Sequence, residues 1–509
     1  MAEEESTSDR SHDFREGTAD VLTRLEVDGF KNLLGLGVDF GPFTCIAGPN
    51  AIGKSNVFDS IAFLSLLADH SLLQVPDLVR STTGRGGDPR ELLWTDGHHR
   101  VEKMSFAVEM IVPARVEDDL GRNARPTTTY LRYELELGYE EPSGLDIMGR
   151  LVLLKEELRH LSREHAAQNL RFDHSTKNFR NTVILGRPTG KNPFIWTDHD
   201  EDSDSVESAS PVIRVSQDQH GGRPAPSPAK NAKTTTVSTI TTTEYPTILA
   251  ARREMQSWRQ LALEPSAMRS PNDFREERQV APNGSHLAAA LYHLATRTRG
   301  SSPAPERVYA QLASRVRELI PVEEIRVDRD DKRQLLTLEL ADGSAGFLPA
   351  RALSDGTLRF IALAVIGLES TVGGVVCIEE PENGIHPARL EAMVDLVRSL
   401  AVDPDDETGE DNPFRQVIVN THSPGFVRLV HLRDPGSLVL AKGATVGNPA
   451  GVGTTRTVRL RPIKGTWRCN PPTDRGVNLL EFLDYLEPPT QVYDTLPRTQ
   501  LLIAREPDA

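Results

Sequence analysis

The stretch 375–387 reads VVCIEEPENGIHP. Its first four residues, Val375 to Ile378, are apolar without a break, the pattern of a short strand buried in a parallel sheet. Glu379 and Glu380 follow at once, where that strand would end. In open α/β sheets the ligand site lies at the carboxyl ends of the strands. A buried carboxylate is costly unless it is paired or meets a metal, and two side by side cost more. Two readings are open on this stretch alone. Either both glutamates escape into water from a turn after a core strand, or one serves a metal ion and the other a water molecule. The second needs a phosphate site elsewhere in the chain.

Such a site is present at 48–56, GPNAIGKSN, which fits the pattern G-x-x-x-x-G-K-S. Gly48 and Gly53 let backbone N–H groups turn inward around phosphate, with Pro49, Asn50, Ala51, Ile52 and Asn56 completing the loop. Lys54 would reach the outer phosphates, and the Ser55 hydroxyl can ligate Mg²⁺. The context supports this over an unrelated glycine turn. A strand, Phe43 to Ala47, precedes the loop, and Val57, Phe58, Ile61 and Leu64 recur after it at helical spacing.

Two further stretches gain meaning from these. Ser354 and Gly356 open a very apolar helix, Leu358 to Leu368. A helix N-terminus is a ready anion site, although capping alone accounts for the serine. Val417 to Val419 form another buried strand, ending in Asn420, Thr421, His422 and Ser423. His422 either caps the next helix or senses phosphate at the same sheet edge.

The rest of the chain sets the frame. Its 509 residues are too many for one core and predict two to three structural units. Net charge is −15, which argues against a wholly basic nucleic-acid-binding surface but not against a local basic groove. The three cysteines, Cys45, Cys377 and Cys469, lack metal-ligand spacing, so a reducing, cytoplasmic setting is expected. The N-terminus is acidic and polar, unlike a signal peptide, and no apolar run is long enough to span a membrane.

Along the chain, 21–27, 104–110, 130–138 and 149–154 alternate at strand period and predict an antiparallel annex. The stretch 74–100 reads as a loop; Arg80, Arg85 and Arg90 are solvated there or meet phosphate or DNA, and Gln74 is a candidate metal- or water-sensing glutamine. About 198–243 is acidic and then rich in Gly, Pro and Thr, which predicts a mobile linker. The stretch 248–265 keeps a helical pattern up to Pro265, with further helices at 285–296 and 306–319. The strands Ser437 to Ala441 and Thr455 to Leu460 and a helix near Leu479 to Leu486 end the readable chain.

GPNAIGKS, LSDGTLR, VVCIEEPENGIHP and VNTHS, in that order, resemble the ABC-type "AAA family" ATPases of the SMC, RecF and OLD group. The likeness covers about 21–110 and 345–430. It implies an α/β fold: an ABC-type P-loop ATPase head, with a mixed sheet and flanking helices, plus a helical insertion and a small C-terminal α+β extension. The corresponding division is 1–19 disordered, 20–155 the lobe with the P-loop, 156–340 the insertion, 341–440 the lobe with signature, Walker B and switch histidine, and 441–509 the extension. The resemblance further implies ATP and Mg²⁺ as cofactors. Lys54 and Ser55 would bind the β- and γ-phosphates and the metal, and Glu379 would hold the metal through water. Glu380 would polarise the attacking water, Asn383 would lie in the D-loop, and His422 would be the switch histidine. Ser354 and Gly356 would contact the γ-phosphate of an opposite subunit, so a homodimer or higher even assembly follows.

Two departures narrow this. The insertion lacks the sustained heptads of SMC arms, and no TOPRIM-type set of a strand-end Glu with a later Asp-x-Asp is found at the C-terminus. The resemblance then points to a stand-alone ATPase controlling a separate effector, such as a nuclease, on nucleic acid, in phage defence or DNA repair. The Septu-type ATPase, which partners an HNH nuclease, is one such case. The alternative is a nucleotide-sensing scaffold that holds an assembly closed with little or no turnover.

Overall fold

The computed structural model describes residues 21–80, 87–142, 148–186, 192–199, 211–218, 227–296, 305–343, 346–369, 373–409, 412–449, 453–469 and 476–486. The segment expected to be disordered, 1–19, and Arg85 lie outside them.

The fold is α/β, and its centre is a mixed sheet of six strands. Their spatial order is Arg259–Leu261, Gly374–Glu379, Arg415–Thr421, Phe43–Ala47, Leu438–Gly447 and Thr454–Pro462. The first five run parallel, and the sixth returns antiparallel at the edge. The central strands of the sheet are covered on both faces, which is why 375–378 and 417–419 read as unbroken apolar runs. Val375, Cys377, Ile418 and Ile46 point into one core, which includes the helices Lys54–Leu67 and Pro246–Ser257. Val376, Ile378, Val417, Val419 and Cys45 point into the other, with the helices Leu287–Thr296, Pro305–Arg317, Asp355–Leu368, Leu390–Ser399 and Pro424–Arg433.

A second, antiparallel sheet packs on the first core. Its eight strands lie in the order Ser227–Pro228, Pro211–Val215, Ile195–His199, Arg150–His160, Tyr130–Glu140, Lys103–Ile111, Val21–Asp28 and Leu36–Asp39. Along Tyr130–Glu140 the odd–even alternation holds: Leu131, Tyr133, Leu135 and Leu137 are buried, while Arg132, Glu134 and Glu136 are half-buried on the other face.

Several sequence expectations change. The helix expected through 248–265 ends at Ser257, because Arg259–Leu261 pairs in parallel with Val376–Ile378 and becomes the edge of the core sheet. Segment 156–340 contains helices but also the antiparallel-sheet strands Ile195–His199, Pro211–Val215 and Ser227–Pro228, the end of Arg150–His160, and this core-sheet edge. The linker expected over about 198–243 is ordered where it is described. Glu156 accepts the Thr236 and Val237 N–H groups, and the Thr235 hydroxyl donates to the Leu67 carbonyl. Residues 200–210 and 219–226 of that stretch lie outside the described residues. The α+β elements after 437 also join the centre: Leu438–Gly447 pairs directly with the strand before the phosphate loop. No helix among the described residues is long and apolar enough to cross a membrane.

Candidate active site

Three adjacent parallel strands deliver the loop Gly48–Asn56, the Glu379–Glu380 pair and His422 to one sheet edge. The loop is held from several sides. The Gly48 N–H donates to the Thr421 carbonyl at 3.1 Å. A Cβ on Gly48 would stand 2.7 Å from the carbonyl oxygen of Ala441, so only glycine lets the loop lie against that strand. Gly53 precedes the helix Lys54–Leu67 with φ of +106° and no side-chain cap; the Asn56 N–H closes on the Gly53 carbonyl, which leaves the Lys54 and Ser55 N–H groups for an anion. Asn32 braces the loop by donating to the Ile52 carbonyl and accepting from the Asn56 amide.

The buried Lys54 ammonium donates to the Gly48 and Pro49 carbonyls at 2.6 and 2.8 Å. Burial lowers its pKa, while the charges of Glu380, Glu382 and Glu379 oppose that shift. This coupling places the lysine and the carboxylates in one electrostatic site.

Glu380 has φ of +43°, a left-handed conformation that a non-glycine residue holds only where its surroundings impose it. Its N–H is shared between the backbone and side-chain oxygens of buried Asn420, each at 3.1 Å. Its Oε1 faces His422 Nδ1 at 2.8 Å, and its Oε2 accepts from the Asn383 amide at 2.7 Å. Both oxygens are thereby oriented by separate elements. Glu379 is engaged differently: its Oε1 accepts from Gln260 Nε2 at 2.8 Å and lies 3.7 Å from the Arg80 guanidinium.

The sequence-derived residues thus divide. The loop, Glu379, Glu380, Asn383 and His422 converge. Ser354 and Gly356 do not join them within one chain. Ser354 is exposed and caps its own helix by accepting the Thr357 N–H, and Gly356 packs against Ile385 and Gly384.

Gln74 is corrected: it is exposed and bonded to Ser71, while the glutamine at the carboxylates is Gln260. Arg80 is more than a solvated loop residue, since it reaches both Asp59 and Glu379. Glu382 was not singled out by the sequence reading, yet it is buried here, accepts the Thr421 hydroxyl and has its pKa raised by burial. The doubled acidic motif E-E-P-E was the available signal for Glu382. For Gln260 no local signal existed.

A family model described as "AAA domain, putative AbiEii toxin, Type IV TA system" matches residues 43–428. No curated protein matches the chain. Solved structures similar to it include an Smc head bound to the C-winged helix domain of ScpA, at 11% identity over 87% of this chain and 98% of that chain, with a TM-score of 0.41. The SMC head domain from Thermotoga maritima matches at 11% identity over 87% and 99%, with a TM-score of 0.35. An Smc head with an extended coiled coil, bound to the C-terminal domain of ScpA derived from Pyrococcus furiosus, matches at 12% identity over 87% and 96%, with a TM-score of 0.40.

Proposed function

The chain belongs to the AAA-domain family of the AbiEii and type IV TA system description, and from that premise we propose that it binds and hydrolyses ATP as an ABC/SMC-like ATPase. The observation that carries the reading is the constellation of Lys54, Glu380, Asn383 and His422 at one strand edge. In this assignment Gly48–Asn56 hold the phosphates through backbone N–H groups and the Lys54 ammonium. Ser55 and Glu379 offer one hydroxyl and one carboxylate, hard oxygen donors that suit Mg²⁺ and leave the rest of its shell to phosphate and water. Held by Ser55 and Glu379, such an ion would supply positive charge to offset the charge developing on the transferred phosphoryl group. Glu380 polarises the attacking water, with His422 and Asn383 fixing the direction of its oxygens.

Ser354 and Gly356 are assigned to a second copy's nucleotide. The exposure of Ser354, which bonds only within its own helix turn and not to the loop, supports a site completed between two chains, hence a homodimer or higher even oligomer. The two lobes of the head are taken as 20–155 and 341–440, linked through 156–340. ATP-driven closure of such a dimer would control a separate effector, such as a nuclease acting on DNA or other nucleic acid, in phage defence or repair within the cytoplasm.

The test is steady-state ATP turnover with nucleotide binding. Glu380→Gln should lower kcat by about 100-fold or more and keep ATP binding. Lys54→Ala should lose binding itself. Normal turnover in Glu380→Gln overturns the assignment; binding without turnover in the wild type gives the scaffold reading. A monomer at high concentration with Mg²⁺ and ATP overturns the composite site.

A further inference from the structure

Glu382 lies two residues beyond Glu380, in the same turn, but in a different environment. Glu380 is half-buried, whereas Glu382 is buried. The Thr421 hydroxyl donates to Glu382 Oε1, and Oε2 is buried with no hydrogen-bond partner. A charged carboxylate so placed would be only half satisfied, which is costly. Burial raises its pKa, and the neighbouring Glu380 charge pushes in the same direction. The group is therefore suited to holding a position rather than a charge.

The turn needs such a hold. Glu380 sits at positive φ, and the start of the turn is tied to the sheet by backbone, through Asn420, while farther along the Arg359 side chain donates to the Asn383 carbonyl. The Asn383 N–H closes the turn on the Glu380 carbonyl at 3.0 Å, and the Ile385 N–H closes on the Glu382 carbonyl at 3.0 Å. Those bonds fix the turn to itself. The Glu382 carboxyl ties its second half to Thr421. Thr421 is in turn bonded through its carbonyl to the Gly48 N–H, and its hydroxyl accepts the Ser423 N–H at 3.0 Å, on the far side of His422.

We propose that Glu382 is the positioning residue of this turn: its bond to Thr421 fixes Glu380 opposite His422 and in register with the phosphate loop. The inference rests on the assignment of Glu380 as the group that polarises water. Misplacing such a group by about 1 Å can cost on the order of 100-fold in rate. The substrate-binding loop, by contrast, keeps its own contacts when the pin is removed.

The experiment measures kcat, KM and binding of a fluorescent ATP analogue with Mg²⁺ for the full chain carrying Glu382→Ala, Glu382→Gln, Thr421→Val, or Glu382→Ala with Thr421→Val. Glu380→Gln is measured alongside. Glu382→Ala and Thr421→Val should each lower kcat by roughly 30- to 100-fold, with KM and analogue affinity within about 3-fold. The double variant should be no slower than Thr421→Val, because both changes break the Glu382–Thr421 bond and Thr421→Val also frees the Ser423 N–H. Glu382→Gln, which keeps the acceptor for Thr421, should restore most of the kcat that Glu382→Ala loses. Full kcat in Glu382→Ala, effects that multiply in the double variant, or a Glu382→Gln as slow as the alanine variant each overturn the proposal. Should Glu382→Ala not fold, Thr421→Val decides, since full kcat there is equally fatal. A dead Glu380→Gln beside a normal Glu382→Ala removes the pin alone. A normal Glu380→Gln removes the assignment beneath it as well.

Discussion

His422 Nδ1 and Glu380 Oε1 stand 2.8 Å apart, joining the ends of two neighbouring parallel strands through their side chains. The other carboxylate oxygen is taken by Asn383. A carboxylate held at both oxygens has one orientation, and orientation is what a group that polarises water must have. His422→Ala should therefore lower kcat by about 100-fold while leaving ATP affinity within a few-fold. Asn383→Ala should cost less, about 10-fold, because the backbone of the turn remains. Steady-state turnover and nucleotide titration check both. A His422→Ala protein with wild-type kcat would reduce the pair to a structural contact.

Gly48 is fixed by what lies behind it. A methyl group there would meet the Ala441 carbonyl oxygen at 2.7 Å and its Cβ at 3.0 Å. That strand cannot retreat easily, since Leu438 to Leu440 pair with Cys45 to Ala47. Gly48→Ala should destabilise the fold by about 1–3 kcal/mol and weaken ATP binding at least about 10-fold by displacing the loop. Gly447→Ala, on the same strand with nothing within 4 Å of its Cβ, is the control and should change neither. Thermal melting and nucleotide titration give the comparison.

Beneath the site, the Lys31 ammonium and the Asp59 carboxylate meet at 2.7 Å, with side chains only 5% and 3% exposed. Arg80 adds a second cation to Asp59 at 3.1 Å. Removing one member of a buried pair leaves the other uncompensated, at a cost of about 3–5 kcal/mol. Asp59→Asn should lower unfolding free energy by about 3 kcal/mol, read from denaturant titration. Replacing both partners, Lys31→Met with Asp59→Leu, should recover part of that loss. If Asp59→Asn melts like the wild type, the pair contributes nothing to stability.

What the sequence made legible follows from local pattern. The strands Phe43–Ala47, Gly374–Glu379 and Arg415–Thr421 are buried on both faces, so each carries a mainly apolar stretch just before its functional residues. What it hid depends on pairing between distant segments. Gln260 sits in a three-residue strand inside a stretch with helical spacing, and it becomes a site residue only because Arg259–Leu261 pairs with Val376–Ile378. Arg80 lies in a glycine-rich loop whose partners, Asp59 and Glu379, come from a helix and a strand remote in the chain. The strands after 437 look peripheral until their pairing with Phe43–Ala47 shows them bracing the phosphate loop.

Gln260 supplies the last prediction. Its amide Nε2 donates to Glu379 Oε1 at 2.8 Å, and its place on the edge strand, opposite Cys377, aims it along the same sheet edge. If Glu379 serves the metal, this bond orients a metal ligand from outside, and loss of such support typically weakens metal affinity about 10- to 100-fold. Gln260→Ala should therefore raise the Mg²⁺ concentration needed for half-maximal turnover by about 10-fold. At saturating Mg²⁺ its kcat should return to within about 3-fold of wild type, because neither Glu380 nor His422 is touched by the change. A Mg²⁺ titration of turnover at fixed ATP reads both quantities. Superimposable titration curves for the two proteins would mean that the Gln260 amide supports the strand edge and not a metal ligand.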